Sequence, residues 1–348
     1  MSVTRIAARA GVSIATVSRV LNNSRRVKPE IADLVRAAMS ELQYAPRRPR
    51  RRAKSAEPQK KTIAIVSLGS PYGEWFQIPV MAAVVAEVSR AAQEGHMGVL
   101  MAEMLDPEKL SPALRQQQVD GAIVVVPSAL DPRVATALAQ RIPTVRIMGA
   151  QFAAAEVDHV GADNNAIGHL AAEHLLSRAC QRLAFITTRP AWDLSKQRGH
   201  GFAMAGLRDQ RTTVCSLLVA DDPELARFYG AGAVARATYE DVVDEAISRR
   251  ADGIFVSRDE EVMQLYPLLR RRGVEPGRDV QVISCDNETV RLSMLHPRPA
   301  SIELGTAEIG RRAVRRLELR MRHPVEQPVR ILVNPQIVLP LSHQMQPV

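Results

Sequence analysis

Apolar positions near the start of the chain recur at helical spacing. Counting from Ile31, residues Leu34, Val35, Ala38 and Leu42 fall at +3, +4, +7 and +11, one face of a helix that opens with Pro29 in its first turn. Ile6, Ala10, Val12, Val17 and Leu21 supply matching faces for two shorter helices. One runs near Val3–Ala10, capped by Ser2 and ended by Gly11; the other follows Ser13 and runs through Leu21. The pattern then stops: residues 46–61 are almost entirely Arg, Lys, Pro and small polar residues, which cannot build a core and read as a linker. From Thr62 onward, strand-sized apolar runs alternate with helical patterns. Strands are predicted at Ile63–Ser67, Met97–Met101, Ala122–Val126, Thr144–Ile147, Leu183–Thr187, Gly253–Ser257 and Val280–Cys285, with a last one near Arg330–Pro340. Helices are predicted at Pro79–Glu94, Pro132–Gln140, Asn165–Ser177, Gly199–Gln210, Tyr239–Arg249 and Glu260–Arg271. Such alternation predicts a parallel sheet covered on both faces.

The pattern runs twice. Ile63-Ala64-Ile65-Val66 is echoed by Leu183-Ala184-Phe185-Ile186, and Val119-Asp120-Gly121-Ala122-Ile123-Val124 by Ala251-Asp252-Gly253-Ile254-Phe255-Val256. Two similar α/β lobes follow, with a ligand cleft between them as the physical consequence.

Charge separates the regions further. Residues 1–61 hold 15 Lys and Arg against 4 Asp and Glu, leaving −2 of the chain's formal +9 for the remaining residues. A basic head on a near-neutral body predicts a polyanion partner for the head alone. Cys180, Cys215 and Cys285 are too few and too scattered for a disulfide or zinc scaffold and read as reduced thiols in a cytoplasmic protein. No apolar run is long enough to span a membrane, and Arg5 and Arg9 interrupt the N-terminus where a signal peptide would become apolar.

The head carries the most specific signal. Ala10-Gly11-Val12-Ser13-Ile14-Ala15-Thr16-Val17-Ser18-Arg19-Val20-Leu21-Asn22, followed by Tyr44 and Pro46, resembles the helix-turn-helix signature of the lactose-repressor (LacI/GalR) family. The resemblance makes Ile14, Ala15 and Arg19 the base-reading positions, with Arg19 able to offer two N–H groups to guanine O6 and N7. Ser13, Thr16, Ser18 and Asn22 are then placed for phosphate contacts, which position without specifying sequence. Arg5 stands where the family usually has Asp.

The linker departs from the family. Its members usually continue Asn-x-x-Ala-Arg-x-Leu, a short hinge helix whose Leu wedges a minor-groove step. Here Ala53 stands in the Leu position and Pro49 falls within the would-be helix. Arg47, Arg48, Arg50 and Arg51 are expected on DNA, either tracking a narrow A·T-rich minor groove or acting as a sequence-independent basic tether.

In the body, Asp163-Asn164-Asn165, Gly168, Arg198-Gly199 with Gly201-Phe202, and Asp286 resemble the family's effector-binding segments. The resemblance implies a fold like the type I periplasmic binding proteins and assigns Arg198 and Asp286 to a cleft that binds a small molecule, a sugar or sugar derivative by family likeness. An Arg and an Asp facing each other can satisfy hydroxyls or a polar ring, or form a structural ion pair. Tyr72, Trp75, Phe76 and Trp192 lie just beyond predicted strands, where they favour a stacking surface or serve ordinary packing. Arg258 replaces a small polar residue of the family and either favours an acidic effector or folds outward.

The expected organisation is an all-α helix-turn-helix head over residues 1–46 and a basic linker over 47–61. The α/β body follows, with one lobe of 62–160 with about 302–328 and another of 161–301 with about 329–348. The expected partners are a pseudo-palindromic double-stranded operator, a small-molecule effector and a second copy of the chain. No cofactor, metal or membrane is expected. No nucleophile elbow, P-loop or dinucleotide motif supports an enzyme. An architectural DNA binder without effector, or an enzyme fused to a DNA-binding head, are the competing classes.

Overall fold

The computed structural model describes residues 3–21, 29–42, 61–69, 71–104, 118–125, 138–149, 157–230 and 232–340, with positions 106, 109, 114 and 116. The chain divides into two units, residues 1–59 and 60–348.

Among the described residues, the first unit has helices α1 (Val3–Ala10), α2 (Ile14–Leu21) and α3 (Pro29–Glu41). Ile6, Ala7, Val17, Val35 and Ala38 form its buried core, with Ala10, Val12, Val20, Met39 and Leu42 against it. Leu34 does not join them and is 56% exposed. It lies one residue from Val35, about 100° around the helix, and a core of three short helices covers only a narrow stripe of α3.

The second unit holds two sheets. In the first, β1 (Thr62–Leu68), β2 (Gly98–Met104), β3 (Gly121–Val125), β4 (Thr144–Ile147), β5 (Asp158–Ala162) and β12 (Arg330–Val333) lie in the order β12-β5-β4-β3-β1-β2, all parallel. In the second, β6 (Arg182–Thr187), β7 (Thr213–Val219), β8 (Val234–Arg236), β9 (Gly253–Val256), β10 (Gln281–Cys285), β11 (Ala300–Glu303) and β13 (Gln336–Val338) lie in the order β13-β11-β10-β9-β6-β7-β8, with only β13 antiparallel. Among the described residues, the helices of this unit are α4 (Tyr72–Phe76), α5 (Pro79–Glu94), α6 (Asn164–Ser177), α7 (Asp193–Gly206), α8 (Tyr239–Ser248), α9 (Asp259–Arg271), α10 (Thr289–Leu292) and α11 (Thr306–Arg322).

The predicted repeat is a repeat of register. Ile63 pairs with Gly121 and Leu183 with Gly253, so β1/β3 and β6/β9 align at equivalent positions. Each Asp of the repeated Asp-Gly holds the start of the neighbouring central strand. Asp120 Oδ2 accepts the Thr62 N–H at 2.8 Å, and Asp252 Oδ1 accepts those of Gln181 and Arg182 at 2.9 and 2.8 Å.

The chain crosses between sheets three times: after β5, after β11 and after β12. The expected final strand near Arg330–Pro340 is therefore two strands in different sheets, and the last crossing follows Val333 rather than residue 328. The strand over Asp158–Ala162 escapes an apolar-run reading because its first two residues are polar, yet both are buried. Asp158 accepts from Arg320 Nε at 2.8 Å and the Val329 N–H at 2.8 Å, and lies 2.9 Å from Arg316 Nε. α11 was missed for the same reason: it is rich in arginine, but Arg316 and Arg320 are buried on Asp158. α7 starts six residues before the expected Gly199 and ends at Gly206. Most of the helix predicted at Pro132–Gln140 lies outside the described residues.

Candidate nucleic-acid interface and effector site

α2 is set by Ser13. Its Oγ accepts the Thr16 N–H at 3.1 Å and sits 2.8 Å from Thr16 Oγ1, and its carbonyl accepts the Val17 N–H at 3.1 Å, an N-cap arrangement. Gly11 (φ 65°) makes the turn before it, in a backbone region that glycine adopts most readily. With Val17 fully buried against α1 and α3, the opposite side of α2 is left outward: Ile14 is 52% exposed, and Ser13 and Ala15 are exposed. Ser18 and Arg19 lie in α2, but their side chains are outside the described part. Asn22, Arg47, Arg48, Arg50 and Arg51 are outside the described residues, as are Pro49 and Ala53.

The second candidate site lies at the C-terminal ends of the second sheet, where open α/β sheets receive ligands. It depends on how closely two helices approach. A Cβ on Gly168 of α6 would stand 1.9 Å from the Arg198 carbonyl oxygen of α7, and one on Gly201 would stand 2.1 Å from the Asn165 carbonyl. Only bare backbone fits at these two crossings. The contact brings Asn164 to Arg198, which is buried in the second turn of α7. Arg198 Nε donates to Asn164 Oδ1 at 3.1 Å, Nη1 donates to the Ser257 carbonyl, and Nη2 faces Asp286 Oδ1 at 3.6 Å.

Asp286 follows β10 with φ 108°, and Asn287 has φ 51°. These two left-handed residues are held from several sides. The Asp286 N–H donates to the Ile302 carbonyl at 2.9 Å, and the Asn287 N–H donates to Ser301 Oγ at 3.0 Å. The fully buried Asp259 accepts from the Glu288 N–H at 2.6 Å, from Ser301 Oγ at 2.8 Å and from Ser284 Oγ. Burial pushes the Asp286 carboxyl up to about 7 against the pull of Arg198, and pushes Asp259 up to about 6 despite its hydroxyl donors. Asn287 Nδ2 donates to Glu303 Oε2 at 3.3 Å, while its buried Oδ1 has no partner among the described residues. Glu303 in turn accepts the N–H groups of Gly305 and Thr306 where α11 begins.

Next to this cluster, Glu261 is buried and accepts from the Thr188 N–H at 3.1 Å and Thr188 Oγ1 at 2.7 Å; burial raises its pKa. Arg258 pairs with Glu260 at 2.7 Å, approaches Glu261 at 3.7 Å, and lies 5.5 Å from the centre of the Trp192 ring. Arg189 lies 5.4 Å from the same ring.

Arg198, Asp286, Arg258 and Trp192 are thus joined by one run of contacts. The other aromatics are not. Trp75 is 3% exposed within the core, a packing residue and not an open stacking face, and Phe76 is half exposed. Tyr72 lies in α4 with its side chain outside the described part. Sequence reasoning missed Arg189, Thr188, Glu261, Ser284 and Ser301. The last two carried a signal, a hydroxyl inside an otherwise apolar buried strand.

Two family models match the chain. The family described as Bacterial regulatory proteins, lacI family, matches residues 3–47, and a Periplasmic binding protein-like domain matches residues 172–340. The two matches together support a LacI/GalR family regulator. Among curated relatives, the HTH-type transcriptional regulator MalR of Streptococcus pneumoniae is 30% identical over 204 residues, 58% of this chain. That match spans 61% of MalR's own length. Two solved LacI/GalR structures share the fold over 97% of this chain and 98% of theirs. The transcriptional regulator CelR–cellobiose complex has a TM-score of 0.63 at 24% identity, and the Lac repressor dimer bound to operator and the anti-inducer ONPF has 0.62 at 19%. The family match in the head covers every DNA-facing position expected up to Arg47. In the body, the match includes Arg198, Arg258 and Asp286.

Proposed function

We propose that this protein is a sequence-specific DNA-binding transcriptional repressor whose operator affinity is set by a small-molecule effector, a sugar or sugar derivative. The observation that carries the reading is α2: a helix capped by Ser13, packed through Val17 and presenting Ile14 and Ala15 outward, within a segment that matches the lacI family. A helix held this way fits the major groove. Arg19 reads guanine, Ile14 and Ala15 meet the groove floor, and Ser13, Thr16, Ser18 and Asn22 contact phosphates. Arg47, Arg48, Arg50 and Arg51 add backbone or minor-groove affinity.

The protein acts in the cytoplasm as a homodimer on a pseudo-palindrome, since a two-fold axis gives each recognition helix its own half-site. Among the described residues, no helix is long and apolar enough to cross a membrane. The effector sits against Arg198 and Asp286, with Arg258 and Trp192 beside them and Phe76 and Tyr72 contributed by the first lobe. The cellobiose of the solved relative supports a polyhydroxyl ligand. Glu303 accepts hydrogen bonds from Asn287 and from the N–H groups at the start of α11, which joins this site to a crossing between lobes. A ligand that favours one lobe arrangement therefore biases DNA binding through linkage.

Selection of binding sites from random duplexes by the purified protein tests the reading. A two-fold symmetric consensus supports it. Arg19→Ala relaxes one base position in each half-site at a cost of about 1–3 kcal/mol. Retention of all duplexes equally overturns it.

A further inference from the structure

Trp192 offers a stacking ring, but in this protein the ring is already attended by cations. The guanidinium carbons of Arg189 and Arg258 lie 5.4 and 5.5 Å from its centre. The two arginines are held differently. Arg189 is exposed, and among the described residues no carboxylate pairs with it. Arg258 is only 12% exposed on its side chain and shares two glutamates. Glu261 is buried and already receives the Thr188 N–H and hydroxyl and the Ser257 hydroxyl, so it stays with the protein. Glu260 is half exposed, so its 2.7 Å pair with Arg258 is of the kind an incoming anion displaces at little cost.

Arg198 differs from both. Its Nε and Nη1 are committed to Asn164 and the Ser257 carbonyl, and its charge faces Asp286. It is positioned to orient Asp286 and hydroxyls, not to neutralise a ligand's charge. Asp286 and the unpartnered Asn287 Oδ1 supply acceptors for such hydroxyls. Contacts then run from Asp286 through Arg198 and Ser257 to Arg258, and on through Trp192 to Arg189, from a hydroxyl-binding end to a cationic end.

We infer that the effector is an anionic sugar derivative, whose carboxylate or phosphate is held by Arg258 and Arg189 beside Trp192 while its hydroxyls meet Asp286 and Arg198. Guanidinium forks match both anions bidentately, and both guanidiniums lie within 5.5 Å of the centre of one indole ring, with the exchangeable Glu260 pair holding the place an incoming anion would take. This inference rests on the effector reading above and adds the charge of the ligand to it.

The test uses the full-length protein and matched sets of sugars at constant ionic strength. Each set comprises a neutral sugar (ribose, glucose, galactose or cellobiose), its carboxylate derivative (aldonate or uronate) and its phosphate ester. Binding is followed by thermal shift and titration calorimetry. The expected result is that, in at least one set, a charged member binds about 10-fold or more tightly than its neutral parent. Which charged member wins distinguishes a sugar acid from a sugar phosphate. Arg258→Gln and Arg189→Gln each reduce that preference, and together they bring charged and neutral members to within about two-fold of each other. Neutral sugars that bind as tightly as both charged forms overturn the anionic assignment and leave the effector reading standing. The absence of saturable binding by any member overturns both.

Discussion

The two lobes of the body begin alike and end differently. At the N-terminal ends of their central strands, Asp120 and Asp252 cap β1 and β6 in the same register. At the opposite ends they diverge. β1 ends on Leu68 and the described chain beyond it reaches Trp75, both buried among apolar neighbours. Beyond β6, β9 and β10 come Thr188, Ser257, Arg258, Asp259, Glu261, Asp286 and Asn287, joined by hydrogen bonds and with three carboxyls raised by burial. The repeated part is what a buried parallel sheet needs in order to pack. The part that is not repeated carries the chemistry, and it costs stability to keep it buried.

The widest gap between the lobes should appear where helices cross. Gly168→Ala forces a methyl onto the Arg198 carbonyl and is expected to cost about 3 kcal/mol. Gly310→Ala, at the α5–α11 crossing of the first lobe, meets the Glu87 Cβ at 2.6 Å and α5 backbone atoms at 3.0 Å, a milder clash than 1.9 Å, and is expected to cost about 1–2 kcal/mol. Urea unfolding of both variants checks the order, and equal losses would remove the special status of the α6–α7 contact. Asp259→Ala comes next. It strands the Glu288 N–H and two hydroxyls, at about 2–3 kcal/mol by the same measurement, and should also weaken effector binding by loosening Asp286.

Asp286 makes a pH-dependent contribution. An unfolded Asp titrates near 4, whereas the folded carboxyl is pushed up to about 7. Between these values the folded state holds a proton that the unfolded state has released, so this group's contribution is complete below about pH 4 and is lost as pH rises toward 7. Asp286→Asn removes that loss. The stability of the variant relative to the parent should rise between pH 4.5 and 7.5, by on the order of 1–2 kcal/mol. A difference that is flat with pH contradicts the assignment. The smallest effect concerns the shared caps. Asp252→Ala removes the acceptor of two backbone N–H groups and a pair with Arg182, and should cost about 1 kcal/mol. Asp120→Ala removes the acceptor of one backbone N–H and should cost about half as much.

The contrast between the lobes also explains what the sequence revealed. Elements whose burial comes from apolar side chains were legible: Pro79–Glu94 and Thr144–Ile147 were predicted to the residue, and the helices of the head nearly so. Elements buried through ion pairs were not. β5 and α11 looked too polar for a core, because Asp158 is buried only in company with Arg316 and Arg320, more than 150 positions away. At the site, Arg198 and Asp286 were legible from family-like motifs. Their supports, Ser284, Ser301 and Glu261, were not, because each depends on which strand ends the topology brings together. For Trp75 the sequence leaves stacking and packing open, because an aromatic beyond a strand reads the same whether it stacks on a ligand or fills the core; the structure buries it in the core.

The account rests on coupling between the second lobe's strand ends and the head. The direct measurement is a pair of titrations with full-length protein: operator binding with and without saturating effector, and effector binding with and without saturating operator. The account predicts that both affinities change by the same factor, about 5-fold or more, because linkage is reciprocal. An effector that saturates the site and leaves operator affinity unchanged would contradict it.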